Sequence, residues 1–322
     1  MEKRDKFTGM NSIKFNRHFK TEEDCLKYIA DIKREPGYVC RNCGDTKYIK
    51  GSKPYNWRCL KCKKDESPTA GTMFDKVKFS LLTGLNIVFK IVTKKKGMST
   101  LELSREFELR QKTCWAFKWK IQQAMQSSKQ HPLAGEVHVD EFFIGQPEEQ
   151  KCGRSKGEKR LVIVALEKVK DGVGRACAQV IESASSQNFK SFFNAHIAKD
   201  ASVITDEWTG YLPLKKEYPN LKQVPSNNGK NFPDIHIHIM KLKGWLRGIH
   251  HHCSEQHLQG YLDEYHYLYN RRNSMNPMFD LLIKKMVANS PARLLKKGIA
   301  KRLYLKKNYR SLCGSLVNTH CS

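Results

Sequence analysis

Four cysteines constrain this chain more than any other feature. Cys40 and Cys43 bracket Arg-Asn, Cys59 and Cys62 bracket Leu-Lys, and 15 residues separate the two pairs. Two such knuckles present four thiolates to one tetrahedral ion, and zinc suits a soft, redox-silent sulfur site. Four protein ligands leave no open coordination position, so the expected role is to fold a ribbon, not to catalyse. The cationic neighbours Arg41, Arg58, Lys61, Lys63 and Lys64 favour the ionised thiolates. The plain alternative, four buried thiols without a metal, leaves the paired spacing without a reason. The total of 11 cysteines is odd, and the leading MEKRDKFTGM has no apolar signal core. A disulfide framework and export are therefore not expected. The other seven cysteines read as small core residues.

Charge narrows the partners. Lys and Arg number 58 against 32 Asp and Glu, a net charge of +26. Such a chain attracts polyanions, nucleic acid first among them. The longest apolar run, residues 79–89, is broken by Thr83 and Asn86 and falls short of the roughly 20 residues a membrane span needs. The expected setting is cytoplasmic and nucleoid-associated, with no membrane partner.

Pattern divides the chain into five stretches. Residues 1–35 read as a lead-in and a short helix, started by Thr21-Glu22-Glu23-Asp24. Residues 36–75 hold the ribbon. Residues 76–130 read as helices: one over 76–96, a short one capped by Ser99, a break near 108–110, and one from Gln111 with Cys114, Phe117, Ile121 and Ala124 on one face. Two helices across a tight break fit a helix-turn-helix, with Gln111, Lys112 and Lys118 offered to DNA; they fit an ordinary packed helix pair equally well. Residues 131–275 carry strand patterns at 136–144, 161–169 and 176–181, a helix at 187–197, a strand at 202–205 and helices over 234–272. That order predicts an α/β domain with a mixed sheet. The linker 146–160 is polar and basic, and 276–322 reads as a basic tail, helical or partly disordered.

Two carboxylates stand at strand positions. Asp140 lies within Val-His-Val-Asp-Glu, and Asp206 follows Ser-Val-Ile-Thr. On neighbouring strands they would form an oxygen-rich site for Mg²⁺ and support phosphodiester chemistry. Alternatively, each caps a strand or turn. A histidine-rich stretch follows, with His236 and Lys243 on one helical face and a triplet at 250–252. Glu264, farther on, has a structural alternative in pairing with an arginine.

Together CRNC…CLKC, residues 99–125, VHVDEFFIG, VITDEWTGY and GIHHHCSEQHLQGYLDEYHYLYNRRN resemble bacterial insertion-sequence transposases. The group is the DDE superfamily with an N-terminal zinc ribbon and an ISXO-like catalytic domain. The likeness covers roughly residues 20–275. It implies a ribonuclease-H-like catalytic fold behind the ribbon and the helix-turn-helix-like segment. It implies Asp140 and Asp206 as the first two ligands of catalytic Mg²⁺ or Mn²⁺. Many relatives carry a glutamate third; registering on Gly248-Ile249-His250-His251 puts His236 there, with His238 and Glu264 as rivals. Imidazole carries no charge and is softer than carboxylate, which favours Mn²⁺ relatively. Lys243 and Arg247 are expected near the cleaved phosphate.

The function so implied is cleavage of the element's terminal inverted repeats and joining of the 3′ ends to target DNA. The ribbon, through Arg41, Arg58 and Lys61, and the 98–125 helices would contact the repeats. A homo-oligomer holding two DNA ends is the implied assembly. The rival readings are a catalytically silent DNA-binding regulator and a zinc-dependent nuclease using the histidine cluster.

Overall fold

A computed structural model of the chain describes residues 6–145, 159–170, 172–227, 229–250 and 255–290. Helix α1 (Ser12–His18) is capped by Asn11, and α2 (Glu22–Arg34) by Thr21, whose hydroxyl accepts the Asp24 N–H while the Asp24 carboxylate accepts the Thr21 N–H. The ribbon follows: β1 (Tyr48–Lys50), β2 (Trp57–Cys59) and β3 (Asp65–Glu66), antiparallel in that order. Its own core is minimal, with Tyr38, Cys40, Trp57 and Cys59 buried and Cys43 and Cys62 half-buried.

Helix α3 (Leu81–Thr93) carries a nearly all-apolar buried face. The Glu22 carboxylate of α2 accepts the first two N–H groups of α3, at 2.7 and 3.0 Å, so a negative charge sits at the helix's positive end. Helices α4 (Thr100–Glu106) and α5 (Gln111–Met125) begin where the sequence places them, with Ser99 capping α4. Between them Glu108 adopts φ 51°, and the Ser104 hydroxyl donates to the Leu109 carbonyl at 2.6 Å, which closes the turn.

The second layer is a five-stranded sheet of β4 (Glu136–Ile144), β5 (Arg160–Val169), β6 (Gly172–Ile181), β7 (Ser202–Thr205) and β8 (Lys222–Gln223), in the order β6-β5-β4-β7-β8. The first three are antiparallel neighbours; β7 runs parallel to β4, and β8 parallel to β7. This mixed sheet has the ribonuclease-H-like order that the motif likeness implied. Helix α6 (Ser186–His196) and a 3-10 segment (Thr209–Lys216) cover one face; α7 (Pro233–Ile249) and α8 (Glu255–Tyr269) cover the other. The alternation along β4 sorts its side chains: Val137 and Val139 face α6, while Phe142 faces α7.

Residues 276–290 are not tail. Helix α9 (Met278–Ala288) returns to the N-terminal helices and buries Phe279, Leu282, Ile283 and Met286 there. Phe279 meets Phe7, Phe15, Phe19 and Phe89 with centroids 5.4–6.0 Å apart. The Tyr28 hydroxyl donates to the buried Asp280. The apolar stripe of α9 outweighs its lysines, which lie on the opposite side. The rest of the expected basic tail, and most of the 146–160 linker, lie outside the described residues. Among the described residues no helix is long and apolar enough to cross a membrane.

Candidate active site

Strand register builds the site. The parallel pairing of β4 with β7 runs to His138 opposite Ile204. Two residues farther along each strand stand Asp140 and Asp206, both on the α7 side by alternation. Both are half-buried. Each uses one oxygen locally: Asp140 Oδ1 accepts the Glu141 N–H at 2.8 Å, and Asp206 Oδ1 accepts the Trp208 N–H at 3.2 Å. The turn-capping role considered above is thus present, alongside the paired placement.

Helix α7 supplies a histidine and two basic side chains. His236 Nε2 lies 3.5 Å from Asp140 Oδ2. Its ring is backed by Gly229, φ +82°, where a Cβ would come within 2.8 Å of His236 Cε1 and push the ring aside. Two turns on, the Lys243 ammonium sits 5.1 Å from the Phe142 ring centroid. Burial, with the charge of Arg247, lowers the Lys243 pKa, and Asp140 works against that. Arg247 is exposed on the same helix.

On the other face, the buried Tyr211 hydroxyl donates to Glu141 Oε2 at 2.7 Å. Burial raises the Tyr211 pKa well above its ordinary value, and the charges of Glu141, Asp140 and Asp206 add to it. Three carboxylates therefore converge electrostatically on this end of the sheet.

Two rival third ligands are placed elsewhere. His238 is buried between α7 and α8, its Nε2 3.1 Å from His266 Nε2. Glu264 is fully buried, accepts from Gln122 at 2.7 Å and pairs with Lys118 at 3.1 Å. Its partner is a lysine from α5, not an arginine.

Residues 132–270 match the family profile of the ISXO2-like transposase domain. That stretch of the chain is similar to ISXO2-like transposase domains. The match spans both aspartates, His236, Lys243 and Arg247, and so meets the likeness drawn from the motifs. No curated protein matches the chain. A solved structure titled "Crystal structure of a pre-cleavage Mos1 transpososome" aligns over 88% of this chain and 97% of its own, at 10% identity and a TM-score of 0.27.

Ahead of the matched residues, the four cysteine sulfurs lie within 4.8 Å of one another. Two cross-knuckle distances, Cys40–Cys62 and Cys43–Cys59, are 3.6 Å. A Zn–S bond of about 2.3 Å gives a tetrahedral edge of about 3.8 Å, so the cluster is compatible with zinc. The N–H groups of Asn42 and Cys43 point at the Cys40 sulfur and push its thiol down to about 6. Among the described residues this is the one group of three or more metal-ligating side chains drawn so close together.

The residues expected to reach DNA divide. Gln111 and Lys112 are exposed at the start of α5, and Arg41 and Lys61 are exposed on the ribbon. Arg58 pairs with Asp65 at 2.5 Å across β2 and β3. Lys118 is corrected: it is buried, with its ammonium donating to the Met98 carbonyl at 2.6 Å and facing Glu264. It ties α5 to α8 instead of standing exposed on the surface for duplex DNA. His251 and His252 lie outside the described residues, while His250 stacks on Tyr261 at 3.7 Å. Sequence reasoning passed over Glu141, Tyr211 and Gly229. Glu141 directly follows Asp140, which was a usable signal; the other two become visible only in three dimensions.

Proposed function

We propose that the chain is an active DNA transposase whose phosphodiester chemistry takes place at Asp140 and Asp206. What supports the reading is one placement: Asp140 in the middle of β4 and Asp206 just past the end of the parallel neighbour β7, inside a transposase-like domain, facing His236 and Lys243 on α7. The donor set of two carboxylates and an imidazole fits a hard divalent cation, and the crowding of negative charge at Tyr211 marks a site that a cation would relieve. Mg²⁺ or Mn²⁺ held there by Asp140, Asp206 and His236 would activate the attacking oxygen and stabilise the leaving one.

The chain's own groups do the rest. The charges of Lys243 and Arg247 draw the scissile phosphate onto α7 and offset its developing negative charge. Gly229 and Asp140 hold the His236 ring in place. The Tyr211 hydroxyl keeps its proton and fixes Glu141 from beneath, so the strand end does not splay. The ribbon binds zinc and, with the exposed start of α5, contacts the terminal repeats. Two copies on two DNA ends complete the assembly. With +26 net charge, DNA affinity falls steeply with salt, by about 0.9 log units per log unit of salt for each phosphate contacted.

The test first looks for inverted repeats bracketing the reading frame and then mixes purified chain with DNA ending in them; a frame without such repeats counts against the reading. Strand cleavage and joining, with Mn²⁺ at least as effective as Mg²⁺, supports the reading. Binding of those ends without cleavage under either metal favours the silent regulator. His236, standing where the resemblance implies a glutamate, is the feature that favours this second reading.

A further inference from the structure

Between the α4–α5 pair and the C-terminal half of α7 lies a cleft of about 1000 Å³, at the upper end of ligand-cleft sizes. Its walls are aromatic: Trp115 and Trp119 from α5, Trp245 from α7, His257 and Tyr261 from α8. Trp115 meets His257 edge-on at 5.0 Å. Trp119 is half-buried and has no aromatic or cationic ring partner among the described residues. The floor is bare. Gly244 and Gly248 line it one helical turn apart, and a Cβ at either would meet nothing within 4 Å. Glycine weakens a helix relative to alanine, and close packing does not require it here. Any larger side chain at these positions would project into the cleft.

Charge and continuity say what the cleft takes. Exposed Lys96 and Gln111 stand on the rim, with Lys94 held there by Glu102. Lys243 directly precedes Gly244, and Arg247 directly precedes Gly248, so the phosphate-facing side of α7 and the cleft floor share one helix. Aromatic faces beside cations are what an unpaired nucleic-acid strand uses, bases on rings and phosphates on charges. Bases in a duplex hide those faces in their own stack.

The geometry points to this cleft as a subsite for unpaired nucleotides of the DNA strand that reaches Asp140 and Asp206. The inference rests on the DNA-cleaving function proposed above, and it adds a ligand state: bases taken out of the duplex beside the reacting phosphate.

The test uses the full chain with a short fluorescein-labelled oligothymidine and a blunt duplex, read by anisotropy without added divalent metal. Gly248→Leu fills open space without a clash, and Gly248→Ala is its permissive control. The expected result is an oligothymidine affinity about 5- to 140-fold weaker in Gly248→Leu, the size of one lost base stack, with Gly248→Ala and the duplex unaffected. Trp119→Ala should weaken oligothymidine in the same way. Unchanged oligothymidine binding in Gly248→Leu overturns the inference, as does equal loss on both probes. So does retained strand binding with an altered sedimentation coefficient, which would make the cleft a protein contact. Asp140→Asn is measured alongside: if it still cleaves DNA, the function proposed above fails, while the strand-binding comparison is decided on its own.

Discussion

Lys118 of α5 and Glu264 of α8 form a fully buried ion pair, 3.1 Å apart, that ties the N-terminal helical region to the α/β domain. Gln122 donates to the same Glu264 oxygen at 2.7 Å, and Lys118 also donates to the Met98 carbonyl. Removing one member of such a pair leaves a buried charge poorly matched. Lys118→Met should destabilise the chain by about 3–5 kcal/mol in denaturant unfolding. Lys118→Met combined with Glu264→Gln should recover part of that loss. Equal or greater loss in the double variant would mean that the pair does not couple the two elements.

The paired histidines give stability a pH limit. Burial, with the neighbouring His266, lowers His238 from 6.5 to about 3, and burial lowers His266 to about 4. Both folded values lie below the unfolded one, so both rings must stay neutral in the fold. Their stabilisation is complete above pH 6.5 and is lost as pH falls from there toward 4. The slope is about 1.4 kcal/mol per pH unit for each ring. Unfolding midpoints at pH 7 and pH 5 should differ accordingly, and His238→Phe should flatten the dependence by about one proton.

The ribbon should depend on its metal. With Tyr38, Trp57 and the cysteines as its entire core, it is too small to fold on burial alone. The chain should contain one zinc, and chelation should release it with a change in Trp57 fluorescence. Cys59→Ser should lose the zinc. A chain that keeps its ribbon spectrum without zinc would remove the structural role assigned to the site.

Phe279 tests the corrected C-terminal region. It is fully buried among four other phenylalanines, and Phe279→Ala should cost about 3–5 kcal/mol, as expected for a core aromatic. A tail position would show almost no change.

Local signals were legible. Thr21 and Ser99 cap the helices they were assigned to, the cysteine spacing gives the ribbon, and β4, β5 and β7 fall within a residue of their patterns. Strand β6 begins at Gly172 instead of Ala176, because its glycine-bearing start is ordered by pairing with β5, not by propensity. Strand β8 has two residues, too few for any periodicity. Lys118 and α9 misled for one reason. A basic residue reads as solvent-facing until its partner is known, and Glu264 lies far away in the chain. At the candidate site, the sequence marked Asp140, Asp206 and His236. It could not separate His236 from His238, since only the packing of α7 against α8 buries the second.

The central claim is that Asp140 and Asp206 serve one cation site. Mn²⁺ titration followed by electron paramagnetic resonance, on zinc-loaded chain, tests it most directly. Asp140→Asn and Asp206→Asn should each lose the Mn²⁺ bound by the parent, and the double variant should lose no more, since both remove the same site. Single variants that bind Mn²⁺ as the parent does would contradict the claim.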